Sequence, residues 1–325
     1  MMISIIIPVF NEEENISPLY ERLNSALENV REYEIIFIDD GSTDNTFQRL
    51  SECANLDSRV KIAKFRRNFG QSAAISYGFD NAKGEIMITM DADLQLDPND
   101  IPGMIKQIRE GSDVVCGWRK QRKDPYLRKK LPSRFFNWLT SKVTGLKIHD
   151  IGTPMRAYRA EVVRNISGNL YGELHRYVPV LAAWKGYKIS EMEVKHNPRE
   201  HGKSKYGSSR LIRGFFDLIS VYFLEKYLSR PLHLFGTLGL LSLGLGLVIS
   251  IYLGFLRIFY LEPLGDKPLF MLGVLMIVFG AQFITLGLLG EMITRFQHEN
   301  RRTKSYELET LINFKEESRV VQISK

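Results

Sequence analysis

The segment MDADLQLDP, residues 90–98, places Asp91, Asp93 and Asp97 just after the apolar run EIMIT. Carboxylates this close repel one another unless a cation or water lies between them. One intervening residue puts Asp91 and Asp93 on the same side of an extended backbone. Such a pair forms a hard-oxygen site for Mg²⁺ or Mn²⁺, ions that take one or two carboxylates together with substrate phosphates. A solvated turn is the alternative. Asp97 reads differently: followed by Pro98, it has the form of a helix N-cap with proline at the first helical position. A calcium loop counted from Asp91 needs Gly at its sixth position and Glu at its twelfth, where this chain has Leu96 and Pro102.

The elements that must position these groups alternate. ISIIIPV, YEIIFID, RVKIAKF, EIMITMD and DVVCGW read as strands, and the first is apolar throughout, as in a parallel strand covered on both faces. NEEENISPLYERLNSALENV, STDNTFQRLSECAN, QSAAISYGFDNA and PNDIPGMIKQIRE read as helices between them, and MRAYR and YKISEMEV as later strands. The pattern predicts an α/β fold with a doubly wound, mostly parallel sheet. Ligands of such sheets bind outside the carboxyl ends of the strands, where Asp91 and Asp93 stand. The first strand leads into PVFNEEEN rather than a glycine-rich turn. Glu12, Glu13 and Glu14 would repel a pyrophosphate there, so a nucleotide's phosphates belong elsewhere, with a metal at Asp91 and Asp93 the obvious place. The second strand ends in Asp39-Asp40-Gly41-Ser42, whose carboxylates can accept from a base or ribose while Ser42 or Thr43 caps the next helix.

Two stretches, 234–256 and 268–290, hold no charge. Each makes a helix of about 35 Å, enough for a bilayer core of roughly 30 Å. Buried core helices are the alternative. Lys226 and Arg230 precede the first; Arg295, Arg301, Arg302 and Lys304 follow the second. The positive-inside rule then puts both termini in the cytoplasm, and the expected location is the inner membrane. No cationic region precedes the N-terminal apolar run, so no cleaved signal peptide is expected. Cys53 and Cys116 offer no disulfide framework, which fits a cytoplasmic catalytic part. A net charge of +7 suits anionic lipid or phosphate partners, and no recognition motif supports nucleic acid. Residues 208–230 are amphipathic and aromatic, as expected of a segment lying in the membrane interface, or packing on the soluble part. Ser242, Gly246, Ser250 and Gly254 recur every fourth residue, a small face for contact with the second span or with another copy.

PVFNEEENI, IDDGSTDNT, NFGQSAAISYGF, DADLQLDP and GTPMRAYR, in this order and followed by two spans, resemble the family-2 glycosyltransferases of the GT-A fold. More narrowly, the chain is similar to the polyisoprenyl-phosphate glycosyltransferases, the dolichol-phosphate mannose synthase group, in its bacterial branch with two C-terminal transmembrane helices. The resemblance implies Pro8, Phe10, Glu12, Asp39 and Asp40 in the nucleotide pocket, joined by Asp91. It implies Asp91, Asp93 and Gln95 at the divalent metal and donor diphosphate. Asp150, in HDIGTPMRAYR, matches the family's acidic position and is the candidate catalytic residue alongside Asp93; a strand cap or an ion pair with Arg156 is the other reading. Most of the basic stretch 118–134 reads as a solvated loop near an anionic leaflet; Arg119, just after the DVVCGW strand, is better placed than the rest for an acceptor phosphate, and Arg128 and Ser133 match the region where relatives hold the lipid phosphate. Arg199, Lys203 and Lys205, around Gly202 and Ser204, look like the family's second phosphate-binding loop. His175 and Arg176 are candidates for the donor sugar, with a merely packed His175 as the alternative.

The function implied is inverting transfer of a hexose, glucose, from a UDP-sugar to undecaprenyl phosphate. Mannose or an aminoarabinose donor is the near alternative. An inactive membrane scaffold, or a transferase with a soluble acceptor, is the alternative of another class. The processive Gln-x-x-Arg-Trp signature does not occur, which favours a single transfer. The expected domains are 1–207 catalytic, 208–231 interfacial, 232–293 two-helix transmembrane, and 294–325 a polar cytoplasmic tail.

Overall fold

The computed structural model describes residues 1–120, 140–142, 144–166, 174–198, 231–260, 268–299 and 306–314. The chain divides into two compact units, one before residue 219 and after residue 303, the other between them. In the first, β1 (Ile3–Val9), β2 (Tyr33–Asp39), β3 (Val60–Phe65) and β4 (Ile86–Thr89) alternate with α1 (Ile16–Ala26), α2 (Thr46–Leu56) and α3 (Gln71–Asn81). A short 3₁₀ turn at Pro98–Asp100 leads into α4 (Ile101–Arg109), followed by β5 (Val114–Trp118), β6 (Arg156–Arg159), α5 (Ala160–Arg164), α6 (Val178–Trp184) and β7 (Ile189–Glu193). The last strand is β8 (Leu308–Ile312).

These strands form one eight-stranded sheet in the order β7-β5-β6-β4-β1-β2-β3-β8. β1 to β4 run parallel to one another, as the apolar runs predict. β6 runs antiparallel between β4 and β5, and β8 runs antiparallel at the edge beside β3. Ile3, Ile5, Ile7, Ile35, Phe37, Ile86 and Ile88 pack with Ile16, Leu19 and Leu23 of α1 into the core. On the opposite face α3 comes so close that a Cβ on Gly78 would stand 2.3 Å from Ile6 Cγ2.

The amino edge of the sheet contains a buried polar cluster. Glu34 Oε1 accepts from Ser4 Oγ and from the Lys83 backbone N–H, both at 2.6 Å. Glu34 Oε2 pairs with Lys61, and Ser4 Oγ accepts from Gly84 N–H at 2.8 Å. Each buried group there has a partner, as a low-dielectric interior demands.

The second unit holds α7 (Pro231–Tyr260) and α8 (Pro268–Glu299). Both are long and apolar enough to cross a membrane, over Leu232–Tyr260 and Pro268–Ile293. Their seam is glycine. A Cβ on Gly239 would meet Gly280 O at 2.8 Å, and one on Gly246 would meet Gly273 O at the same distance. Ser242 Oγ donates across the seam to Met276 O at 2.8 Å. The small face expected in the first span thus packs on the second, except at Gly254, where nothing lies within 4 Å of a Cβ. The interfacial segment 208–230 lies outside the described residues. Part of the expected tail is not a tail: residues 308–312 form the edge strand of the eight-stranded sheet.

Candidate active site

The parallel register sets Val9 opposite Asp39 and Ile6 opposite Thr89, so β1, β2 and β4 end along one edge. Pro8 sits near the end of β1, with Phe10 and Glu12 just beyond it. Two loops are stitched together there. Ser42 Oγ accepts from Asn11 N–H, Asn11 Oδ1 accepts from Thr43 N–H, and Thr46 Oγ1 accepts from Glu12 N–H, all within 2.8–2.9 Å. Asn11 takes a left-handed conformation, φ 52°, to make this turn. Glu12 accepts from the Asn15 side chain. Ser42 and Thr43, expected to cap α2, bind the first loop instead, and Asp44 Oδ1 accepts from Thr46 N–H at 3.0 Å.

The two neighbouring aspartates do different work. Asp40 binds the loop after β3: its oxygens accept from Phe69 N–H at 2.7 Å and Gly70 N–H at 2.9 Å. Burial pushes its carboxyl up to about 6. Gly41, at φ +72°, makes the approach feasible, since a Cβ there would stand 2.5 Å from the Arg67 carbonyl carbon. Asp39 is fully buried; one oxygen accepts from Ser42 N–H at 2.9 Å and the other has no partner among the described residues. Burial raises its pKa too. A buried acceptor without a donor is costly unless a ligand supplies one, so Asp39 is better placed than Asp40 to meet a base.

At the end of β4, Asp91 is part-exposed and Asp93 buried. Gln71, the first residue of α3, donates its side-chain N–H to Asp91 Oδ1 at 2.7 Å. Asp93 Oδ1 accepts from Gln95 N–H at 3.2 Å, and Leu94 between them is left-handed, φ 61°. A left-handed leucine costs of order 1 kcal/mol and persists where its surroundings hold it. Gln95 binds through its carbonyl, which accepts from Asn197 N–H at 2.8 Å. Asp97 accepts from Asn99 N–H at 3.0 Å, as the capping pattern predicts. Among the described residues no group of three or more His, Cys, Asp or Glu is placed to hold a metal. The Asp91/Asp93 pair fits the narrower case of a hard cation completed by substrate phosphates.

Asp150 is buried and does not pair with Arg156. Arg119 holds it in a two-pronged contact, Nε to Oδ2 at 2.7 Å and Nη2 to Oδ1 at 3.0 Å. Arg156 donates to the carbonyls of His175, at 2.7 Å, and Ile151. The candidate base and the candidate phosphate-binding arginine are therefore partners, a geometry that orients both. His149 stacks on Trp118, ring centres 4.4 Å apart, and lies 2.7 Å from Glu191, which also accepts from Asp150 N–H. His175 is buried, with Nδ1 2.8 Å from Ser72 Oγ on α3; Arg176 is half-buried beside it. Arg128, Ser133, Arg199, Lys203 and Lys205 lie outside the described residues.

Gln71 and Ser72 were not singled out by residue chemistry. Their signal is position: they open α3 at the carboxyl edge, one beside Asp91 and the other beside His175.

A carboxylate pair and a buried aspartate with an unmet acceptor lie along the carboxyl edge of a mostly parallel sheet, the arrangement expected of a GT-A glycosyltransferase. Residues 4–167 match the glycosyl transferase family 2, and the chain belongs to that family. It is 40% identical over 309 residues to a dodecaprenyl-phosphate galacturonate synthase of Rhizobium johnstonii, covering 94% of this chain and 91% of the relative. It is 35% identical over 316 residues to an undecaprenyl-phosphate 4-deoxy-4-formamido-L-arabinose transferase of Proteus mirabilis, covering 96% and 94%. Among solved structures, glucosyl-3-phosphoglycerate synthase of Mycobacterium tuberculosis, in complex with Mn²⁺, UDP and glucosyl-3-phosphoglycerate, matches with a TM-score of 0.53 at 16% identity. That match covers 69% of this chain and 79% of that one, a likeness of fold.

Proposed function

We propose that this enzyme transfers a sugar from a UDP-sugar to the phosphate of a polyisoprenyl lipid at the cytoplasmic face of the inner membrane. The observation that carries the reading is the shared edge: Asp39 offers a buried acceptor beside β1, and Asp91 and Asp93 stand on its other side, beside β4. Base and diphosphate sites on either side of one strand suit a nucleotide-sugar. A divalent cation, Mg²⁺ or Mn²⁺, held by Asp91 and Asp93 with the donor phosphates would offset charge on the departing UDP. Gln71 steadies the Asp91 carboxylate. Gln95 contributes backbone, bonding to Asp93 and Asn197.

The nucleophile is a phosphate oxygen of the lipid. A phosphate monoester has its second pKa near 6, so little basic assistance is needed at neutral pH. The oxygen attacks the anomeric carbon from the face opposite UDP, the new C–O bond forms as the bond to UDP breaks, and the configuration inverts. Arg119 would draw the phosphate and Asp150 would orient the arginine or take up a residual proton. Arg128, Ser133, Arg199, Lys203 and Lys205 remain candidates for the same phosphate.

For the sugar, the relatives favour a uronate or a formamido-arabinose over the glucose suggested by resemblance alone. Arg176, beside buried His175, is a candidate cation for an acidic sugar. α7 and α8 are read as membrane spans. The chain leaves the sheet before them and returns to it at β8, which favours an even number of crossings with both parts on one side.

The test is transfer of labelled sugar from UDP-galacturonate, UDP-4-deoxy-4-formamido-L-arabinose, UDP-glucose and GDP-mannose to undecaprenyl phosphate, with Mg²⁺ or Mn²⁺. Label should enter the lipid phase from one UDP donor and fall about 10²–10³-fold in Asp91→Ala, the usual loss for one electrostatic group. No transfer from any donor by the folded protein would defeat the reading.

A further inference from the structure

The segment after the second long helix meets the catalytic sheet beside the loop that Asp40 holds. β8 pairs with β3 from Ile62↔Ile312 to Phe65↔Leu308, with an irregularity between Lys64 and Phe65. The pairing continues past the strand, because Glu307 O accepts from Arg66 N–H at 3.1 Å. Arg66 opens the turn Arg66–Gly70, whose Arg67 backbone touches Gly41 and whose last two N–H groups bind Asp40. At the far end of β8, Asn313, left-handed at φ 61°, donates to the carbonyls of Ala54 and Val60 at 2.9 and 2.8 Å.

The side chains make the same connection. The Tyr306 ring lies parallel to Phe65, 5.1 Å between centres and 6° between planes. It meets Tyr77 of α3 edge-on at 5.3 Å, and Phe65 meets Phe69 of the turn edge-on at 5.9 Å. α3 is the helix whose first turn carries Gln71, the donor to Asp91. Tyr306 is buried. One ring from the C-terminal segment thus touches the helix bearing Gln71 through Tyr77, and reaches the turn bonded to Asp40 through Phe65.

We propose that Tyr306 is a positioning residue for the nucleotide-sugar site, acting through Phe65, Phe69 and Tyr77 on the 66–70 turn and on α3. Closely packed aromatic groups fix one another's orientation, and they back a turn that is tied to Asp40 by two N–H bonds and to Glu307 by one. The proposal rests on the donor reading above for its functional consequence, and on geometry alone for its structural one.

The experiment uses the full chain in detergent, as the parent, Tyr306→Ala, Tyr306→Leu and Tyr306→Phe. The probes are amide hydrogen exchange over residues 66–70, binding of UDP with Mn²⁺, and the KM values for the donor and lipid acceptor. Tyr306→Ala should speed exchange at Phe69 and Gly70. It should raise the UDP Kd and donor KM about tenfold, the order expected for losing two aromatic contacts, with the acceptor KM unchanged. Tyr306→Phe, which keeps the ring, should restore both; Tyr306→Leu carries the test if the alanine variant fails to fold. Unchanged exchange at 66–70 would overturn the proposal, as would a lower melting temperature with unaltered donor KM. Faster exchange in a protein whose parent binds no UDP would support the link between Tyr306 and the turn while defeating the donor reading.

Discussion

The two edges of the sheet differ in how their polar groups are treated. At the amino edge, Glu34 is closed around Ser4, Lys61 and Lys83, none of which has a left-handed backbone. At the carboxyl edge, Asn11 and Leu94 are left-handed, Asp39 keeps an oxygen without a donor among the described residues, and Asp40 is pushed up to about 6. The same strands run through both. The first edge is arranged for stability; the second carries strain and unmet hydrogen-bonding capacity where a ligand would supply the missing partners.

That contrast can be broken from the amino edge first. Glu34→Ala leaves the half-buried Lys61 without its counter-ion, and the Ser4 hydroxyl and the Lys83 N–H without their acceptor, and should cost about 3 kcal/mol. Denaturant melts would read the loss, with transfer per folded molecule close to that of the parent. A smaller effect is expected across the sheet. Asp39→Asn replaces half of its acceptor surface by a donor, so UDP binding should weaken about tenfold, the equivalent of one neutral hydrogen bond. The melting temperature should not fall, because the substitution removes a buried charge. A drop in stability like that of Glu34→Ala would erase the distinction between the edges.

A pH profile sharpens it. The Asp40 pKa is raised by burial from 3.8 to about 6, so the folded protein holds this proton more tightly than the unfolded chain does. The stability contributed by the protonated form is complete below about pH 4 and is lost as pH rises through 6. Thermal melts of the parent minus Asp40→Asn, taken from pH 4 to 7, should show this decline; a flat difference would remove Asp40 as its source.

Much of this contrast can be read from sequence, and the exceptions have physical causes. The apolar runs of β1 to β4 mark parallel strands because both faces are covered, and the switch from strand to acidic turn marks the carboxyl edge. The capping role of Asp97 follows from Asp-Pro chemistry. The antiparallel β6 escapes this logic, since MRAYR shows an extended segment but not its direction. Asp150 finds Arg119 rather than Arg156 because pairing depends on how β5 lies beside β6, not on separation along the chain. Nothing in QSAAISYGF says that Gln71 will reach Asp91. LETLI, half-buried in alternation, is too short to stand out after a long apolar helix, and its partner strand lies some 245 residues away.

That last separation bears on how the protein is made. At synthesis rates of about 5–20 residues per second, the ribosome needs roughly 10–50 s to proceed from β3 to β8. Throughout that interval β3 is an open strand edge, the kind of surface on which sheets of different chains join. Closing it requires a contact of very high sequence separation, which is slow to form, and both apolar helices must leave the ribosome first. Completion of the sheet is thereby a late event in the life of the nascent chain, and a chain stalled after α8 would present an unfinished edge to its neighbours.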